Sequence, residues 1–134
     1  MPWKFTDGID YTFPANTSLA PNGRLFVVKN KTAFKSRYSS IPDEIIYGPY
    51  ADDGSLSNGG EKLELSKPGD EILGMPGQYY YIRVEMVNYS DGSHPVGEAP
   101  DPWPTEPDGG GASLIRTGDS GYSNDVVNWQ AGTP

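Results

Sequence analysis

His94 is the only histidine in the chain. It lies in the loop Asp91-Gly92-Ser93-His94-Pro95, with a hydroxyl and a carboxylate within three positions of the ring. A nucleophile, a base and an orienting acid are the parts of acyl transfer, provided that the base sits between the other two. Neighbouring side chains on an extended loop point apart, however, and no Gly-x-Ser-x-Gly elbow holds a serine at the top of a sheet. The expectation is a solvated turn histidine in a chain without catalytic residues, and so not an enzyme.

Two stretches are rich in oxygen donors: Asp52-Asp53-Gly54-Ser55, and the acids from Glu98 to Asp108. Calcium is a hard cation that takes six to eight oxygen ligands, so Asp52, Asp53, Asp101 and Asp108 are its candidate ligands. Neither stretch has EF-hand or repeat-type spacing, and acidic residues in turns serve geometry and solubility equally well. No other cofactor is expected. The aromatic residues Tyr79, Tyr81 and Trp103, with Trp3, are candidates for a stacking platform that binds sugars, against the ordinary use of aromatic side chains in sheet packing. Gly109-Gly110-Gly111 precedes a strand pattern, so it lacks the helix N-terminus that lets a glycine loop hold phosphate. With no cysteine, disulfides, thiolate metal sites and a cysteine nucleophile are all excluded.

Charge narrows the choice of partner. Up to Ser90 acids and bases nearly balance, but from Asp91 onward seven acids face Arg116 alone, and the whole chain carries a net charge of −8. Such a surface repels phosphate backbones unless a basic patch compensates. The only basic cluster, Lys29, Lys31, Lys35 and Arg37, reads as the wet face of a short helix, so nucleic acid is not an expected partner. No apolar run approaches the roughly 20 residues that span a bilayer, and Met1 to Phe13 does not read as a signal peptide. Three glycosylation sequons, at Asn16, Asn30 and Asn88, are no more than a polar chain holds by chance.

The elements that must position these residues are short. With 134 residues, Gly 17 and Pro 13, the composition favours one domain of brief strands and tight turns. Trp3–Phe5 and Ile9–Phe13 flank Asp7-Gly8 as a hairpin, with Tyr11 and Phe13 on one face and Asp10 and Thr12 on the other. After the turn Pro21-Asn22-Gly23, the run from Arg24 to Lys29 is apolar in both parities, as a strand covered on two sides would be. Asn30 caps the single helix, expected through about Tyr38. Glu44 to Tyr47 is a short strand ended by Gly48-Pro49. Leu63 and Leu65 alternate with polar residues, and Lys67-Pro68-Gly69-Asp70 is expected to turn that strand into a hairpin with Glu71–Leu73. The longest strand starts at Tyr79, with Tyr80, Ile82, Val84 and Met86 facing inward. A bulge near Asn88 would return Val87 and Tyr89 to the same face. Ala112–Arg116 is a last strand, and Val126, Val127 and Trp129 cap the fold.

Five segments in order, DYTFP (Asp10 to Pro14), LAPNGRLFVV (Leu19 to Val28), GSLSNGGEKLEL (Gly54 to Leu65), DPWPTEPDGGGASL (Asp101 to Leu114) and NDVVNW (Asn124 to Trp129), resemble the bacterial branch of the lamin-tail domain family. The resemblance covers most of the chain. It implies an all-β, immunoglobulin-like β-sandwich with one short helix. It also implies a non-catalytic structural or interaction module of a bacterial exported or cell-surface protein. An accessory carbohydrate- or calcium-binding module attached to an exported enzyme is the alternative, and a nuclear-lamina-like partner of chromatin is opposed by charge. Two strands that usually precede the tryptophan resembled by Trp3 are missing, and Met75–Tyr81 is lengthened. A sandwich short of strands exposes a sheet edge, through which the chain is expected to form a homodimer.

Overall fold

The computed structural model describes residues 1–51 and 56–134. In chain order its elements are β1 (Lys4–Asp7), β2 (Phe26–Val27), α1 (Lys31–Arg37), β3 (Ile46–Tyr47), β4 (Gly60–Glu71), β5 (Tyr79–Ser90), β6 (Ser113–Arg116) and β7 (Trp129–Gly132). Single 3-10 turns, Asp43–Ile45 and Val126–Asn128, lead into β3 and β7. The chain is β-rich with one short helix. An antiparallel sheet in the order β1-β4-β5 is accompanied by a parallel pair, β2 with β3, and an antiparallel pair, β6 with β7; the three sheets do not close on one another.

The N-terminal hairpin forms about Asp7-Gly8, with Phe5 N–H donating to Tyr11 O and Phe13 N–H to Trp3 O, both at 2.9 Å. That register turns Tyr11 and Phe13 inward, and their rings meet edge-on at 5.2 Å. Phe13 also meets Phe5 at 6.2 Å and Tyr47 at 5.6 Å. With Ile9 and Ile46 it is one of the three buried hydrophobic residues among those described, so the densest packing lies between this hairpin and β3.

The β2 segment is shorter than its sequence implies. Residues 25 to 28 are half-buried and lie in a two-stranded ribbon, because α1 follows immediately and covers one side, with Phe34 packed on Phe26 at 5.3 Å. The helix itself forms as its residues dictate. Asn30 Oδ1 accepts the Ala33 N–H at 2.9 Å, and Lys35 at the other end donates to Ile41 O at 2.7 Å and pairs with Asp43. Removing the cap by Asn30→Ala lowers stability by about 1 kcal/mol, seen as a fall in the midpoint of urea unfolding.

Lys67-Pro68-Gly69-Asp70 is not a turn. These residues run within β4, and an irregularity between Pro68 and Glu71 takes up the missing proline donor. The chain instead reverses over 72–78, where Gly74 and Gly77 adopt φ of +80° and +81° and Ile72 N–H donates to Gln78 O. The bulge in β5 is also displaced. Leu65 pairs with Glu85 and Ser66 with Arg83, which leaves Val84 without a partner. The single extra residue at Val84 places Tyr80 and Ile82 on the same side of the sheet as Val87 and Tyr89, while Met86 takes the opposite side.

That inner side is covered at only one end. Tyr80, Ile82 and Val84 are 60%, 50% and 47% exposed, because the far half of the β4–β5 hairpin extends past the layer made by β6 and β7. Nearer the core the outer edge of β5 is occupied. Ser123 Oγ accepts the Met86 N–H at 3.3 Å and donates to Met86 O at 2.6 Å, and Asn124 Oδ1 accepts the Asn88 N–H. One buried serine thereby supplies both bonds that a neighbouring strand would make.

Candidate functional site

Strand β5 ends at Ser90, and the following loop curls back on it. Ser93 N–H donates to Asp91 Oδ1 at 2.8 Å, an Asx turn that keeps the loop from extending. Asp101 closes the loop from the far side. Its Oδ2 accepts from Ser90 Oγ at 2.5 Å and from His94 N–H at 3.0 Å, while Oδ1 accepts the Trp103 N–H at 3.0 Å. One carboxylate therefore joins the strand end to both limbs of the loop.

His94 stands inside this arrangement. Its Nδ1 lies 3.2 Å from Asp91 Oδ1, 3.3 Å from Ser90 Oγ and 3.4 Å from Ser93 Oγ. The expectation that Asp91 and Ser93 point away from the histidine is thus corrected, since the Asx turn folds both toward the ring. A Ser-His-Asp relay uses opposite ring nitrogens for the hydroxyl and the carboxylate. Here both hydroxyls and the carboxylate converge on the same nitrogen, which is not that geometry.

The carboxyls respond to their surroundings. The Ser93 hydroxyl and amide hold Asp91 below its ordinary acidity value, with His94 adding to the effect. Asp101 is held low by the Ser90 hydroxyl first and the Trp103 amide second. In both cases hydrogen bonds favour the charged form over the neutral one.

The cluster borders an open apolar cleft of about 670 Å³, in which Ser90, Asp91 and Asp108 form part of a wall completed by Leu63, Val87 and Trp129. The cleft lies between the β4–β5 face and the β6–β7 pair, spanned at one side by an ion pair of Arg116 with Glu85 at 3.5 Å.

Of the four calcium candidates, Asp52 and Asp53 lie outside the described residues. Asp101 joins Asp91 and His94, and Asp108 lines the cleft apart from them. The three candidate stacking residues are not brought together. Tyr79 and Tyr81 lie on the projecting hairpin, where Lys4 Nζ sits 4.0 Å over the Tyr81 ring, whereas Trp103 packs against Trp129 at 6.3 Å. Sequence reasoning missed the meeting of Asp91, His94 and Asp101. The Asp-Gly-Ser signal for an Asx turn would have given the first half of it, while the return of Asp101 depends on the path of the intervening loop. Among the described residues no helix is long and apolar enough to cross a membrane. Comparison with protein-family models, curated proteins and solved structures finds no match to this chain.

Proposed function

We propose that this chain is a non-catalytic structural or interaction module of a bacterial exported or cell-surface protein, a lamin-tail-like relative of the immunoglobulin sandwich that docks through its projecting hairpin. The observation that carries this reading is the composition of that hairpin. In an otherwise polar and acidic chain it exposes Leu73, Met75, Tyr80, Ile82 and Val84 together, and among the described residues no strand pairs with the outer edge of β5 there. Apolar side chains beside unpaired backbone groups form a template for another strand.

The occupant is a second copy. Antiparallel pairing about a twofold axis at Tyr81 sets Tyr80 against Ile82 on one face and Tyr79 against Arg83 on the other, so that no like charges meet and each guanidinium lies beside a phenol ring. Sedimentation velocity over rising protein concentration is expected to show a monomer–dimer equilibrium, and Ile82→Lys to weaken it at least tenfold by placing two charges at the junction. A wild-type chain that remains monomeric throughout, or a variant that dimerises as well as wild type, overturns the reading.

A further inference from the structure

We propose that Asp91, His94 and Asp101 form a binding site for a zinc-like divalent cation. The three side chains each offer one donor atom, and the donors all lie within 4.8 Å of one another. They come from two limbs of one loop held by the Asx turn at Asp91 and by the Trp103 N–H, so the donors are set before any cation arrives.

His94 Nδ1 faces more oxygens than its one proton can serve. Three oxygens lie at 3.2, 3.3 and 3.4 Å from one ring nitrogen that has at most a single proton to give. These separations exceed the usual N–H···O length of about 2.9–3.0 Å. Among these oxygens only Asp91 Oδ1 is a ligand of the site, and its 3.2 Å from Nδ1 is close to the edge, roughly 3.3–3.4 Å, of a tetrahedron whose centre is about 2.0–2.1 Å from its corners, the zinc geometry for imidazole and carboxylate. Ser90 Oγ, bonded to Asp101 Oδ2, orients that carboxylate from outside, as second-layer partners of metal ligands do.

The donor types select the ion. Imidazole suits zinc, copper and nickel, whereas calcium requires six or more oxygens and gains little from a ring nitrogen. This revises the calcium expectation for Asp101 and leaves Asp108 out of the site. Three protein donors leave one tetrahedral position for water. The two carboxylates in a segment of net negative charge draw a cation toward the loop. His94, with a side chain 66% exposed, leaves an entry path.

The test uses the chain's single imidazole as its own reporter. Zinc chloride is titrated into the whole chain while the His94 ring protons are followed by NMR and the heat is followed by calorimetry. The expected result is saturation at one zinc per chain, with the ring signals shifting in step, and no comparable change with calcium chloride. His94→Ala and Asp101→Asn are each expected to weaken binding at least tenfold. The Asp91→Asn variant gives a third measurement that retains the size of the side chain. Circular dichroism of the metal-free variants establishes that each is folded. Absence of saturable zinc binding, equal affinity for calcium, or unchanged affinity in the folded His94→Ala variant overturns the proposal, and the dimer equilibrium of the Ile82→Lys experiment is unaffected by any of these outcomes.

Discussion

Replacing Phe13 by alanine is expected to lower the unfolding free energy by about 3–5 kcal/mol, the usual cost of truncating a buried phenylalanine. The ring is 8% exposed and meets Phe5, Tyr11 and Tyr47 within 6.2 Å, so its loss empties the middle of an aromatic group. Little can move in to fill the space, because the Phe13 backbone is tied to Trp3 and β3 is tied to β2. Since only Ile9 and Ile46 among the other described residues are buried hydrophobic ones, that loss is a large share of a total stability of roughly 5–15 kcal/mol. Denaturant unfolding followed by tryptophan emission measures it. A change below 1 kcal/mol would mean that the folded core lies elsewhere.

Gly48→Ala is expected to be nearly as damaging through the backbone. Gly48 has φ of +122°, a region that side chains make costly, and an added Cβ would overlap the Val28 carbonyl. Strain of this kind costs about 1–3 kcal/mol before any movement of neighbours. The overlap then pushes apart the β2–β3 pair, where Val28 N–H donates to Tyr47 O at 2.9 Å. Thermal unfolding by circular dichroism is expected to show a lower midpoint for Gly48→Ala, while Gly74→Ala, at a position with open space around it, shows strain alone and a smaller fall. Equal effects at the two sites would remove the steric part of the argument.

Local chemistry made some elements legible and left others hidden. Asn30 before a run of helix-compatible residues defined the start of α1, since a side chain that can bond the Ala33 N–H needs nothing distant. The Asp7-Gly8 hairpin and the span of β5 from Tyr79 were readable for the same reason. Pro68-Gly69 misled, because two residues that favour turns can also be absorbed as an irregularity when a long partner strand holds both sides. The change of parity in β5 announced an extra residue, but only the register against β4 placed it at Val84. Strand β7 has no periodic signal of its own and exists through pairing with β6. The candidate site shows the same division. Asp91 and Ser93 are close in sequence and form a local turn, whereas Asp101 reaches the cluster through a loop whose course no spacing rule specifies.

The serine that seals Met86 has a consequence for biosynthesis. It lies 37 positions downstream, so the long hairpin emerges from the ribosome well before its guard. Throughout that interval the outer margin of β5 is bare along its whole length, while β1, made earlier, can already cover β4, and a crowd of such chains can zip together before the protecting hydroxyl arrives. The stretch of synthesis between Met86 and Ser123 is therefore the period in which this edge is most open to wrong pairing.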